Sequence, residues 1–403
     1  MSNSTNPYKP KLVIVLSRFP YPIDKGDKLR AFYQIRDLSE KWDIYLHCIS
    51  EVHIDEKSRN TVAAYCKEVH IHRLNRILIY LNCGLQLLGN KPFQVAYFFQ
   101  RHIQKKIQRS LQEVRPDHVF CQLIRASEYV KNYHHCSKTL DYMDTLSEGI
   151  KRRISTAPFM LRFLFRSEWK RLMRYENLVF DYFEKHTIIS EQDKNLIAHA
   201  QKSKIDSIPN GVGEHFFNYS PKKEPNFELV FVGNLNYPPN IAAVHFIAKA
   251  ILPLSVKQGH DWKILIAGAN PSKEILQLAS KNITISGWVD DIRTNYASGK
   301  IFIAPMFIGT GLQNKLLEAM AMGLPCITTS LAKNALENDD NQIIEANNSA
   351  EFVLHIEKLL HQSSFYTEIS KKNKEYVHQH FNWKTINTQL SELMLLSILP
   401  KNV

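Results

Sequence analysis

A chain of 403 residues is long for one domain and sufficient for two, each with a core of its own. Hydrophobic residues at 44% and charged residues at 22% exclude a disordered or fibrous protein. The six cysteines show no C-x-x-C spacing and no clustering with histidine, so neither a disulfide framework nor a zinc site is indicated and a reducing compartment fits, while a net charge of +12 asks for nucleic acid, anionic lipid or a phosphorylated ligand as partner.

Residues 1–10 are polar and carry no apolar signal core, so cytoplasmic residence is expected. Residues 11–17 (KLVIVLS) read as a buried strand, 20–26 as a turn-rich loop with Pro20, Pro22 and Gly26, and 29–38 as a helix. Short apolar runs recur at 44–49, 118–122, 138–142 and 186–190, separated by helix-length segments such as 93–113. Strands alternating with helices predict a parallel sheet covered on both faces. The longest apolar stretch, 77–88, is broken by Asn82 and Gln86 and falls short of the ~20 residues a membrane span needs, so none is expected.

Residues 159–182 are helical in pattern, with Arg162, Arg166, Lys170 and Arg174 at every fourth position and Leu161, Leu164, Trp169, Leu172 and Tyr175 interleaved. This basic amphipathic helix suits an anionic membrane surface; a helix packing its apolar stripe on its own domain is the alternative. The polar passage 218–226 reads as the linker. The strand and helix pattern then restarts, with strands at 228–232, 263–267, 283–286, 300–304 and 326–329, helices at 241–252, 274–279 and 313–322, and a final helix at 383–399. The expected fold class is α/β, with two doubly wound Rossmann-like domains and a cleft between them: 1–217 on the acceptor side, 218–382 binding a nucleotide, and 383–403 packing back toward the first.

Residues 303–329 are the most informative segment, an apolar strand leading through Gly309-Thr310-Gly311 into a helix. Glycines admit a phosphate close to the backbone, and a helix N-terminus favours an anion. Glu318 lies on that helix among apolar neighbours, where accepting hydrogen bonds from ribose hydroxyls is its obvious use, and Gly323 ends it. A plain turn and a surface carboxylate form the bland alternative.

The segment from Gly311 to Thr329 resembles the nucleotide-binding helix of family 4 retaining glycosyltransferases of the GT-B fold, with signature E-x7-E followed by A-x-A-x-G-x-P. Glu318 matches the second glutamate, which the resemblance implies binds the donor ribose, and Ala319, Ala321, Gly323 and Pro325 match the remainder of the signature. The first glutamate falls on Thr310, so Thr310 or the neighbouring amides, those of Gly311 and Leu312, then take the sugar-contacting place. The loop holding Gly233 and Asn234 resembles the opening of the donor domain without its usual Arg and Lys, leaving Lys315 as the nearest cation for the diphosphate. Residues 287–290 (GWVD) are similar to the loop beside the nucleobase, where Val289 reads the base by its backbone and Trp288 packs nearby.

In the first domain, 20–30 (PYPIDKGDKLR) occupies the place of the family's glycine loop and is similar to an exopolysaccharide-associated bacterial subgroup. Gly26 there allows close approach, and Lys25, Lys28 or Arg30 stabilises the departing nucleoside diphosphate, Lys28 being the choice. Where many members carry a His-Asp pair, this chain has Asp141 and Asp144; Asp144 is the candidate for touching the transferred sugar or acceptor hydroxyl, and Asp141 reads equally as a buried structural carboxylate. His134-His135, His70 with His72, and Asp290-Asp291 make no metal pattern, so no metal or other cofactor is expected.

The expected activity is retaining hexosyl transfer from a nucleoside diphosphate sugar to a hydroxyl of a glycan or lipid-linked acceptor, with peripheral attachment to the inner membrane face. A sugar-nucleotide 2-epimerase on the same fold and a non-catalytic binder are the rivals. Nucleic acid is not an expected partner, since the lysines are scattered and no recognition motif accompanies them.

Overall fold

The apolar runs that alternate with helical patterns do become parallel strands. In the computed structural model, which describes residues 9–221, 223–308, 312–334, 336 and 343–398 (without the side chains of 155–156), they build two sheets. The chain divides into one unit running to Pro209 and resuming at Ile386, and a second unit of Asn210–Thr385.

The first unit carries β1 (Lys11–Leu16), β2 (Asp43–Ser50), β3 (Glu68–Arg73), β4 (His118–Gln122), β5 (Ser137–Asp141), β6 (Lys185–Ile188) and β7 (Ile205–Ser207). Their order is β3-β2-β1-β4-β5-β6-β7, with Val13 of β1 opposite Tyr45 of β2 and Val119 of β4. Because strand side chains alternate, Val13, Val15, Val119 and Leu140 feed one core cluster while Leu12, Ile14, Leu16 and Phe120 feed another on the opposite face.

The second unit carries β8 (Phe227–Val232), β9 (Ile264–Ala267), β10 (Ile283–Ser286), β11 (Gly299–Ala304), β12 (Cys326–Thr328) and β13 (Ile344–Glu345), in the order β10-β9-β8-β11-β12-β13. Both sheets are parallel throughout, and each reverses its winding beside its first strand, between β1 and β4 and between β8 and β11. In such sheets ligands bind at the carboxyl ends of the strands next to that reversal.

Four expectations are corrected. The division falls after Pro209 rather than at 217/218, because Val212, Phe216 and Phe217 are buried in the second unit's core. The 93–113 segment is two helices, Phe93–Phe98 and Arg101–Val114: between them Gln100 turns extended, donates its side-chain amide to the Asn75 carbonyl at 2.8 Å and accepts the Asn75 amide at 3.1 Å. Residues 186–190 are strand only to Ile188, after which Ser190 caps the Glu191–Leu196 helix. No membrane-length helix was expected, the apolar stretch 77–88 being too short, but among the described residues Pro238–Lys257 forms one of 20 residues with mean hydropathy 1.4. Its length and composition would allow a membrane crossing, yet Ala243, Val244, Ile247 and Ile251 are packed in the second unit's core.

The last helix, Trp383–Ile398, inserts Ile386, Leu390 and Met394 into the first unit's core. Two polar ties fix it there: Asn387 donates to the Tyr33 carbonyl at 3.0 Å, and the Trp42 indole donates to Ser391 Oγ at 2.9 Å.

Candidate functional site

In the second unit the strand-end loop after β8 starts with Gly233 and Asn234, as the sequence placed them. Gly233 leaves room for Asn240: a Cβ there would lie 2.7 Å from Asn240 Nδ2, so that amide would have to shift. Asn240, near the start of the Pro238–Phe246 helix, donates that same amide to the Asn234 carbonyl at 2.9 Å. Its Oδ1 accepts a hydrogen bond from the Lys315 ammonium, which also lies 5.2 Å from the centre of the Phe231 ring and 3.8 Å from Met306 Sδ.

Lys315 and Glu318 sit on the Asn314–Ala321 helix, which follows β11. Glu318 Oε2 accepts the Tyr296 hydroxyl at 2.7 Å. Surrounding protein desolvates the carboxylate and pushes its pKa up to about 7, although the Tyr296 hydrogen bond and the Lys315 charge both pull it down. Desolvation likewise lowers Lys315 to about 8, against the opposing pull of Glu318. The result is an acceptor and a cation close to neutrality, side by side beyond the carboxyl ends of β8 and β11, which is where burial and neighbours are tuned at binding sites.

Leu312, just before this helix, packs half-buried on the core. Gly309, Thr310 and Gly311 lie outside the described residues. Beyond β10, Trp288 is 72% exposed and Val289 half-buried; neither makes a hydrogen bond or ring contact among the described residues. Asp291 is committed locally, accepting from Arg293 at 2.8 Å.

In the first unit, Gly26 opens the Gly26–Leu38 helix, and a Cβ there would meet nothing within 4 Å. Lys28 pairs with Asp24 at 2.8 Å. Arg30, one of the three cations proposed for the leaving group, serves the core instead. Its Nε donates to Asp141 Oδ2 at 2.7 Å, and both side chains are fully buried. Thr187 donates to Asp141 Oδ1 at 2.9 Å, and Arg30 Nη1 donates to the Pro209 carbonyl at 3.0 Å. Asp141 is therefore the structural carboxylate of the two read from the sequence.

Asp144 stands beyond β5, presented by Met143 in the left-handed region at φ 63°. A non-glycine residue held there stores strain that its surroundings must sustain, a pattern concentrated at functional positions. Asp144 keeps accessible surface, yet protein crowds it enough to raise its pKa to about 6, with Asp193 adding to the rise and Arg125 and Arg152 opposing it. The sequence reading missed the cations here: Arg18, directly after β1, pairs with Asp27 at 2.7 Å, and Arg125, beyond β4, is anchored to Gln94 Oε1 by its Nε at 2.9 Å. Arg18, Asp27 and Asp144 all act electrostatically on Arg125, so four charged groups gather beyond the ends of β1, β4 and β5. Their position just past the carboxyl ends of adjacent strands was the available signal. Tyr296 was missed as well, since it comes from a helix that no motif marks, whereas Asn240 closes the 231–240 segment whose resemblance gave it no role of its own.

The pairs His134-His135 and His70 with His72 take no part in either constellation, and no group of three or more His, Cys, Asp and Glu side chains suited to a metal occurs among the described residues. All six cysteines are free thiols.

Two Rossmann-like units, each with a parallel sheet and polar groups beyond the carboxyl ends of its strands, are the architecture of the GT-B class. Sucrose-phosphate synthase from Thermosynechococcus elongatus is similar in fold, with a TM-score of 0.68 at 10% identity over 96% of this chain and 98% of that one. Anabaena HepE, solved with UDP and glucose, is similar with a TM-score of 0.68 at 12% identity over 96% of this chain and 100% of that one. In sequence, an uncharacterized 44.6 kDa protein in the cps region of Klebsiella pneumoniae is 27% identical over 399 residues, 93% of this chain and 97% of that protein. Residues 226–362 match the family model for glycosyl transferases group 1. That match falls within the second unit, and the chain is a glycosyltransferase.

Proposed function

We propose that this enzyme belongs to family 4 and moves a hexosyl group, with retention at the anomeric carbon, from a nucleoside diphosphate sugar to a hydroxyl of a glycan or lipid-linked acceptor. The product would be a surface or exported polysaccharide, made at the cytoplasmic face of a membrane. The observation that carries this reading is the Glu318 carboxylate, held by Tyr296 and close to Lys315 beyond the ends of β8 and β11.

An acceptor beside a cation suits the two halves of a nucleotide. Ribose hydroxyls donate to Glu318, while the Lys315 ammonium faces diphosphate oxygens. Negative charge grows on the leaving diphosphate during transfer, and fixed cations lower the energy of that state without a divalent metal. Lys28 and the backbone at 309–312 share this role by family resemblance, Val289 and Trp288 lie beside the base, and Asp144 touches the transferred sugar or the attacking hydroxyl. HepE has been solved with UDP and with UDP-glucose, which supports a nucleotide-sugar donor, and the cps-region relative supports a polysaccharide product.

The test is a thermal-shift screen of UDP-, GDP- and ADP-sugars on the full chain, followed by NMR of the anomeric configuration of the transfer product. One donor should raise the melting temperature of the native protein and fail to do so after Glu318→Ala. A chain stabilised by none of them, or one that epimerises the nucleotide sugar without transfer, overturns the reading; an inverted product overturns its retaining part.

A further inference from the structure

Two helices of the first unit expose apolar faces that soluble helices normally bury. On Arg76–Leu85 and the turn after it, Ile77, Tyr80, Leu81, Leu85 and Leu88 recur at helical spacing, and all five are exposed, Tyr80 at 77% and Leu88 at 99%. The inner face of this helix buries Ile79 and ties Asn82 to the Phe99 carbonyl at 2.6 Å, so the exposed stripe is the opposite face of a docked helix. On the Phe159–Phe180 helix the burial changes midway: Leu172, Tyr175 and Val179 are in the core, while Phe159, Met160, Phe163 and Leu164 in its first turns are exposed, Phe159 at 86% and Met160 at 88%.

The two exposed stripes adjoin. Arg171 donates to the Gln86 carbonyl and, at 3.4 Å, to that of Lys91, and Glu168 accepts the backbone amides of Phe93 at 2.7 Å and Gln94 at 3.0 Å. These bonds clamp the end of the first helix onto the second about two turns from Leu164, so a single flat partner can cover both. The charge around them is in cationic excess: residues 73–91 contain three Lys or Arg and 149–167 contain five with no Asp or Glu, while the bordering Glu148 is paired with Lys151, Glu168 is held by the Phe93 and Gln94 amides, and Lys91 is paired with Glu128. Aromatic and aliphatic side chains set among an excess of cations match an anionic bilayer, whose headgroups attract the arginines while its acyl boundary takes the apolar faces.

We propose that these two helices form a composite docking surface for an anionic lipid bilayer, with Leu85, Leu88, Phe159 and Phe163 entering the acyl boundary and Arg162 and Arg166 at headgroup level. This deepens the membrane part of the function proposed above and rests on it only for the lipid-linked nature of the acceptor. Attachment itself needs neither donor nor acceptor.

The experiment is co-sedimentation of the full chain with vesicles of phosphatidylcholine alone and of phosphatidylcholine mixed with phosphatidylglycerol, at low and high salt. Binding should require the anionic lipid and weaken at least about ten-fold in high salt. The double variants Leu88→Glu with Phe159→Glu and Arg162→Glu with Arg166→Glu should each lower binding by a further order of magnitude, on the scale of a few lost lipid contacts. Leu354→Glu, at an exposed leucine of the second unit, should bind as wild type does. An unchanged melting temperature checks that the variants fold. Failure of the wild-type chain to sediment with anionic vesicles, or equal sedimentation of the apolar double variant, overturns the docking surface, as does a wild-type dimer that the variant dissociates without any vesicle binding. Failed docking alongside intact donor stabilisation leaves the transfer reading standing, and intact docking without donor stabilisation does the reverse.

Discussion

Tyr296 donates its hydroxyl to Glu318 Oε2 at 2.7 Å, and this hydrogen bond holds down a carboxylate that desolvation raises to about 7. If donor ribose binds the ionised form, donor affinity rises from pH 6 to pH 8, and Tyr296→Phe moves that rise to higher pH. A hydrogen bond to a charged group contributes about 1.5–3 kcal/mol, so the variant should bind donor roughly ten-fold more weakly at neutral pH. Calorimetric titrations of the donor across this range check it, and an unmoved pH profile contradicts it.

The same carboxylate makes Glu318→Gln informative without ligand. A folded-state pKa above the unfolded value means that the folded state holds the extra proton, so stability falls as pH rises from about 4.5 to about 7. Removing the charge should stabilise the ligand-free protein at pH 8 by on the order of 1 kcal/mol, discounted for the partial exposure of the side chain. Urea unfolding should show that gain while donor stabilisation is lost, an exchange of stability for function.

Arg30 and Asp141 form a fully buried ion pair across 111 positions of sequence, with Gln34 and Thr187 also directed at the carboxylate. Breaking a buried pair from one side leaves an uncompensated charge at about 3–5 kcal/mol. Arg30→Met and Asp141→Asn should each lower unfolding stability, measured in urea, by that much. Arg30 would instead affect donor binding, with stability unchanged, if it faced a ligand.

The contrast between Arg30 and Lys28 shows what could be read from the chain alone. Runs such as ELVFV before Gly233 were legible as strands because parallel strands buried on both faces are continuously apolar. Strand β3 was not, since Glu68, His70 and His72 interrupt its apolar residues and it lies at the sheet edge. Glu318 was legible because its helix carries a motif. Tyr296 was not, because its contact with Glu318 arises from packing between separate elements. Lys25, Lys28 and Arg30 were interchangeable cations in sequence, and only burial separates the one paired with Asp141. The strained turn that presents Asp144 was hidden because methionine carries no turn signal.

Gly268 has φ +146°, and a Cβ built on it would stand 1.7 Å from the Gly233 carbonyl oxygen. The nearest neighbours of that Cβ are all backbone atoms of Gly233, so Gly268→Ala must separate the two strand-end loops at the edge of the candidate site. A loss of several kcal/mol is expected, and at ~2–4 °C per kcal/mol for a unit of this size the melting temperature should drop by about 10 °C. Gly149→Ala, in the Leu146–Thr156 helix with nothing within 4 Å, should raise stability by up to about 1 kcal/mol. Equal thermograms for the two variants would remove the steric argument.

Four histidines of the first unit give it an acid limit. Burial lowers His47 and His118 to about 3 and His72 and His186 to about 4, with His72 and His70 adding to the depression of His47. Each stays neutral in the folded state below pH 6.5 while its unfolded counterpart takes a proton. Stability is therefore complete above pH 6.5 and is lost as pH falls toward 4, with a limiting slope of about 1.4 kcal/mol per pH unit for each histidine. Glu176 and Glu318, each raised to about 7 by desolvation, and Asp144, raised to about 6, oppose this, because their own penalties are relieved over the same range. The four histidines outnumber them, so urea midpoints should fall between pH 7 and pH 5. His47 and His72 are hydrogen-bonded to each other at 3.0 Å, and replacing both with glutamine removes two of the four protonation sites. The double variant should lose markedly less stability than wild type over that interval, and an equal loss would assign the acid limit to other groups.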